Sequence, residues 1–445
     1  MHGPGHLEFE EYTLASGLTV ILHRDGFSPA AAVMVMYHAG SKNESPGRTG
    51  LAHLFEHLMF KGSEHVADGE HFRLLQEAGA TVNGSTSEDR TNYYEVVPSN
   101  YLELALFLEA DRMGFLPGAV DQAKLDNQRE VVKNERRQNY DNVPYGTAYE
   151  TIAREVYGSG HPYSWPVIGS MEDLSAASLE DVKEFFRTHY SPANACLVVS
   201  GDFVRGQAVE WIGKYFDSLP RGVPPAPVAP ALARLAEDRH IVSPENVHLP
   251  RLFLSWPGPM RETREDALLD ILTTILSAGK NSRLYRPLVF ERQIAQSVSA
   301  FTDGKEIAGM VTIDATARPG ESLSEVSRCI FGVIEELLAH GVTEREIEAA
   351  YNGKEAQIAS RLTTSLGIAN GLATARTLTG DAENFNRDSG RFQGITPEEI
   401  LRAARTVFSA HHVSLSIVPR EKMASAGTAR PDNDRASDHT STGTA

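Results

Sequence analysis

Five prolines, Pro220, Pro224, Pro225, Pro227 and Pro230, crowd into the stretch DSLPRGVPPAPVAPALARLAED. Proline lacks a backbone donor and fixes φ, so neither a helix nor an inner strand runs through such a segment. Residues 220–238 therefore read as an extended, semi-rigid linker. It divides the 445 residues, too many for one comfortable core, into two pieces of ordinary domain size, 1–219 and 239–420. The tail 421–445 is small, polar and aperiodic, and disorder is expected there.

The two pieces echo one another. Strand-like runs open each, YTLASGLTVILHR and AAVMVMYHAG in the first and HIVSPENVHLPRLFLSWPG in the second. An apolar helical run follows (TGLAHLFEHLMF; EDALLDILTTILSAG), then a strand (TNYYEVVP; GMVTIDATAR) and a long amphipathic helix (LELALFLEADRM; EVSRCIFGVIEELLAHG). Each closes on a strand, NACLVVSGDF and HHVSLSIVPR. This order predicts duplicated α+β domains, each a sheet with helices on one face.

Charge narrows the partners. The net charge is −17, of which −13 falls before Ala231 and −4 after it. So acidic a surface repels nucleic acid and anionic lipid and attracts cations. No apolar run approaches the ~18 residues of a membrane span, and MHGPGHLEFEEY lacks a secretory profile. A cytoplasmic location is expected, or a periplasmic one if a leader has been removed. Two distant cysteines without a CxxC argue against both a disulfide framework and a thiolate cluster.

Chemistry concentrates in HLFEH, residues 53–57. On a helix His57 lies about 40° from His53, and Glu56 about 60° to the other side. Leu51, Leu54, Phe55 and Leu58 occupy the rest of the circumference. Three ionisable groups forced together on an apolar helix would cost several kcal/mol unless partnered. Two imidazoles four residues apart reach one metal ion, and a carboxylate between them reaches a water beside it. HxxEH is the inverse of the HExxH zinc motif.

Zinc requires a third protein ligand. In DQAKLDNQREVVKNERRQNYDN, with Val131 set at 0°, the apolar face centres near about 70°. Glu135, at about 40°, falls inside that face with Gln128, and Glu130 falls opposite. Glu135 is therefore expected to be the buried carboxylate and the third ligand. His65, His71, His411 and His412 lack partners at ligand spacing and are expected on the surface.

The segments GSKNESPGRTGLAHLFEHLMFKGS, GATVNGSTSEDRTNYYEVVP and QREVVKNERRQNYDNVPYG, with SRLYRPL in the second half, resemble the pitrilysin/insulinase family of zinc peptidases. The resemblance is to its small branch, which includes the catalytic subunit of mitochondrial processing peptidase, and runs from about Phe9 to Pro419. It implies two α/β-roll-like domains closing as a clamshell, the second one inactive. It also implies one Zn2+ on His53, His57 and Glu135, with Glu56 as catalytic base. Asn83 and Gly84 would lie on an edge strand that takes the substrate backbone.

Two departures stand out. Gln128 holds a position, one helical repeat before Glu135, where the family often has an acid, and it would be an outer neighbour of the metal site. The second half also lacks the Arg and Tyr, seven positions apart, that active single-chain members aim at the substrate. Tyr285 and Tyr351 are preceded at that spacing by Ala278 and Glu344. A homologous partner subunit, or self-association, is expected to supply the pair. The function implied is a zinc endopeptidase acting on unstructured peptides inside an enclosed chamber. A non-catalytic scaffold subunit of the same family is the alternative.

Overall fold

The computed structural model describes residues 6–420, so the tail expected to be disordered lies outside the described residues. Eleven strands build two sheets in it. The first half carries β1 (Glu10–Thr13), β2 (Thr19–Arg24), β3 (Ala30–Tyr37), β4 (Thr81–Thr86), β5 (Thr91–Pro98) and β6 (Ala195–Gly201). The second carries β7 (Arg239–Glu245), β8 (Arg251–Gly258), β9 (Ala295–Gly304), β10 (Gly309–Ala317) and β11 (Val413–Pro419). Helices of the first half are α1 (Leu51–Leu58), α2 (Glu70–Glu77), α3 (Leu102–Ala119), α4 (Gln122–Arg136), α5 (Ala148–Tyr157), α6 (Met171–Ala176), α7 (Leu179–His189) and α8 (Arg205–Phe216). Those of the second are α9 (Arg264–Ser277), α10 (Leu323–His340), α11 (Glu344–Arg361), α12 (Ser365–Thr379), α13 (Asn384–Arg387) and α14 (Pro397–Phe408).

The strand orders are β1-β2-β6-β3-β5-β4 and β7-β11-β8-β10-β9. Apart from β1 they match position for position. The pairs β2/β6 and β7/β11 are parallel and every other pair is antiparallel, so the duplication heard in the sequence is present in the topology. The expected α+β clamshell of two related units is the architecture.

Why β3 is apolar throughout (AAAVMVMY) follows from what covers it. Ala31, Val33, Val35 and Tyr37 face the first half's own helices, joined there by Leu54, Phe55 and Leu58 of α1. Ala32, Met34 and Met36 face the other way, with Ile21, Cys196 and Val198, and pack under Ile368, Ala369, Leu372 and Ala373 of α12. A helix of the second half thus roofs the first sheet. The return loan is α5, whose Ala148, Ile152 and Val156 cover Phe253, Met310, Val413, Leu415 and Ile417 of the second sheet. A strand buried on both faces loses its polar alternation.

Residues 220–238 form no helix or strand, as the prolines require. They are docked nevertheless. The Ala231 N–H donates to Ile307 O at 3.0 Å, and Val228 and Leu235 pack on the α5 core. Among the described residues no helix is long and apolar enough to cross a membrane.

Candidate metal centre

Helix α1 starts from Gly50, whose φ of 88° favours glycine and which brings no capping side chain. Its first N–H groups still need acceptors. Glu44 supplies them, one carboxylate oxygen taking the Gly50 N–H at 2.9 Å and the other the Ala52 N–H at 2.8 Å. Burial pushes this carboxyl up to about 8, against the pull of those two donors. Leu54, Phe55 and Leu58 anchor the helix from below, and Phe55 packs on Tyr190 with ring centroids 4.2 Å apart.

Fixed in this way, α1 turns His53, Glu56 and His57 to the open side, as the helical spacing predicts. The two imidazoles stand edge to face, centroids 4.8 Å apart. Glu135, next to last on α4, brings one oxygen to 3.4 Å from His57 Nε2 and 3.7 Å from His53 Nε2. One donor atom from each of the three lies within 4.8 Å of the other two. Burial first, then the neighbouring His57, lowers His53 to about 4. His57, outweighing the cost of burial, holds Glu135 below the usual carboxylate range. At neutral pH His53 is therefore a neutral imidazole and Glu135 an ionised carboxylate, the forms that bind zinc. Two nitrogens and an oxygen converging on one point fit a zinc ion with a position left for substrate or water. His53 Nδ1 is buried without a partner among the described residues, so the outer hydrogen bond common at metal histidines is missing there.

Glu56 lies beside the two imidazoles on the same open side, toward β4. One oxygen accepts the Thr86 hydroxyl of β4 at 2.5 Å. The other lies against Gly84, where an added Cβ would come within 3.3 Å of it and 3.1 Å of the Tyr93 ring. Glycine is what allows β4 to pass this close. Burial raises the Glu56 carboxyl against the Thr86 bond. Among the described residues strand β4 is an edge paired only to β5, and the Gly84 N–H is taken by the Asn83 side chain at 2.8 Å. Beside these groups opens a cleft of about 340 Å³, lined by Glu56, His57, Phe60, Phe72, Asn83 and Gln128 among others. Phe60 and Phe72 stack with centroids 4.8 Å apart.

Several expectations need correction. Glu135 is half-buried, with 34% of its side chain exposed, because the buried face of α4 is Leu125, Gln128, Val132 and Arg136. Val131, used to set that face, is exposed. Glu130 points outward to Lys133 at 2.9 Å, as expected. Gln128 is buried and lines the cleft, but it donates to Asn127 and makes no bond to Glu135 among the described residues. His71 and His412 are buried, not superficial: His71 sits between Phe60 and Glu95, and His412 stacks on Trp256 and meets Asp238. Tyr285 and Tyr351 pack against the second core, and every residue lining the cleft comes from the first half. Glu44, Thr86 and Phe60 had no individual sequence signal, although GSKNES and LMFKGS lie inside the segments that carry the resemblance.

Comparison with known proteins agrees. Residues 19–158 match the model described as "Insulinase (Peptidase family M16)", and residues 176–354 match "Peptidase M16 inactive domain". "Zinc protease PqqE" of Helicobacter pylori is 29% identical over 92% of this chain and 92% of that protein. "Probable mitochondrial-processing peptidase subunit beta" of Schizosaccharomyces pombe is 23% identical over 92% of this chain and 91% of that protein. The crystal structure of a protease from Helicobacter pylori superimposes with a TM-score of 0.86 at 27% identity, covering 93% of this chain and all of that one. With both models of one family matched in chain order, relatives matched along nearly their whole length and the fold shared, this chain belongs to the M16, or insulinase, family of peptidases.

Proposed function

We propose that this chain is the catalytic subunit of a zinc endopeptidase that hydrolyses unstructured peptides. The observation that carries this reading is the convergence of His53, His57 and Glu135 one helical step from Glu56, beside an open strand edge. His53, His57 and Glu135 would hold the ion. When bound, zinc supplies positive charge for a carbonyl oxygen and makes a water more acidic. The chain's own residues do the rest. Thr86 fixes one oxygen of Glu56, leaving the oxygen beside Gly84 to take a proton from the attacking water and return it to the leaving amine. The free edge of β4 takes the peptide backbone as an added strand once Asn83 releases the Gly84 N–H. The stacked phenylalanines of the cleft accept a large apolar side chain.

Glu56→Gln keeps the three ligands and removes the base. Zinc content should stay at one per chain, while peptide turnover falls at least about 10²-fold. A variant that retains metal and cleaves at the native rate would falsify the assignment.

The partner subunit belongs to the same proposal. It is supported by a cleft lined from the first half alone and by the inward packing of Tyr285 and Tyr351. Mixing with a homologous subunit, or self-association, should raise activity, and full activity from a monomer would remove the need for one. The −13 charge of the first part of the chain favours basic peptides. Their advantage in kcat/KM should shrink from low to high salt, and cleavage rates indifferent to peptide charge would count against steering.

A further inference from the structure

Among the described residues only β5 pairs with β4, so the placement of this edge depends on the turn joining the two, residues 87–90. The turn begins directly after Thr86, which holds Glu56. Part of its anchorage is local: the Ser41 and Lys42 N–H groups donate to Ser87 O and Glu88 O at 3.2 and 2.9 Å. A further part comes from the second half.

The turn between β9 and β10 lays Glu306 against it. The Glu306 N–H donates to an Asp89 carboxylate oxygen at 3.0 Å. The Glu306 carboxylate accepts Lys42 Nζ and, at 2.7 Å, His38 Nε2. That short distance makes His38 Nε2 the proton donor to Glu306, so its 3.3 Å approach to Lys42 Nζ is proximity rather than a bond. Lys42 Nζ also reaches Asp89 Oδ1 at 3.3 Å, and Tyr163 bridges the halves by donating to Asp89 and accepting the Ile307 N–H at 3.1 Å. Lys42 and Asp89 are almost wholly buried, at 3% and 5% exposure. A buried ammonium is placed by its counter-charges, and removing the nearer one, Glu306, leaves Lys42 only the looser 3.3 Å contact with Asp89, so both can shift.

We propose that Glu306 is a positioning residue: across the boundary between the halves it fixes the 87–90 turn, and through it the end of β4 that carries Thr86 and faces Glu56. The proposal rests on β4 as the peptide strand and Glu56 as the base. It assigns the second half a task at the active site although, among the described residues, none of that half lines the cleft. Burial would raise the Glu306 carboxyl, but His38 and Lys42 outweigh it and hold it below its ordinary value, which keeps the counter-charge in place.

Hydrogen exchange of the full chain, read by mass spectrometry, compares wild type with Glu306→Gln. Amides of residues 84–90 should exchange about tenfold faster, with β3, β6 and β11 unchanged. At a temperature well below melting, kcat for a quenched peptide should fall severalfold with zinc content intact. A purely structural bridge would lower the melting temperature and leave both local exchange and kcat as they were. That result, or acceleration spread evenly over all strands, overturns the proposal. If the Gln variant does not fold, Glu306→Asp keeps the charge and withdraws it from His38 and Lys42, and the same local acceleration is expected. Exchange requires no catalysis, so it decides the clamp even if the wild-type chain cleaves no peptide, an outcome that would sink the peptidase reading instead.

Discussion

Glu44 precedes the start of α1 by seven residues and yet performs the work of its missing cap. Glu44→Ala would strand two buried N–H groups and should cost about 1–3 kcal/mol of stability. By loosening the helix that carries His53 and His57, it should also weaken zinc binding about tenfold. Denaturant unfolding and a zinc titration measure the two effects separately. Phe60 belongs to the cleft itself. Phe60→Ala should lower kcat/KM for peptides offering an aromatic side chain there by about 10-fold or more, with small side chains little affected, as a peptide library would reveal. His53, Glu56 and His57 were legible from spacing alone, since a helix of known pitch must bring them to one face. Glu135 was legible less cleanly, because Val131 is apolar and exposed and pulled the inferred face toward it. Glu44 and Thr86 were not legible as actors: one works through backbone donors and the other across a strand, and neither geometry leaves a periodic trace.

The duplicated strands were audible because alternation and apolar runs survive in both copies. The roofing helix α12 was not, since a run such as SLGIANGLATARTLT carries small residues whose use appears only when a sheet is laid beneath them. The full apolarity of β3 was the available clue, as a strand with one wet face would alternate. In the second half, SRLYRPL is held by an ion pair. Arg283 donates to both oxygens of Glu346 at 2.7 and 2.8 Å, and Glu346 also closes the capping box of α11. This pairing, opposed by burial and helped by the Thr343 N–H and hydroxyl, lowers the Glu346 carboxyl to about 2 from an ordinary 4.5. The folded value lies below the unfolded one, so the stabilisation is fully present above pH 4.5 and is lost as pH falls toward 2. Acid unfolding of Glu346→Gln should therefore begin from a lower stability than wild type at pH 6 and converge with it near pH 2.

Two sheets, each roofed by a helix of the other half, should unfold as one cooperative body. Leu372→Ala should open a cavity under α12 at a cost of about 2–5 kcal/mol. Although Leu372 belongs to the second half, both halves should melt earlier and together in a single calorimetric transition. Two resolved peaks would show that the exchange of helices does not couple them. A fragment ending at residue 219 would leave Met34, Met36 and Val198 facing water and should aggregate rather than fold as an independent domain. The linker divides the chain into two domain-sized pieces; the reciprocal helices join them, and no single-segment pattern encodes a contact between residues some three hundred positions apart.

The same exchange has a consequence for how the protein is made. The last strand of the first sheet is finished at Gly201, but the helix that covers its back is Ser365–Thr379. While the ribosome adds the residues between, a nearly complete first half waits with one apolar side bare. Such a nascent chain is a natural client for a chaperone, and zinc loading that requires a settled α1 would come late in synthesis, after the second half has arrived.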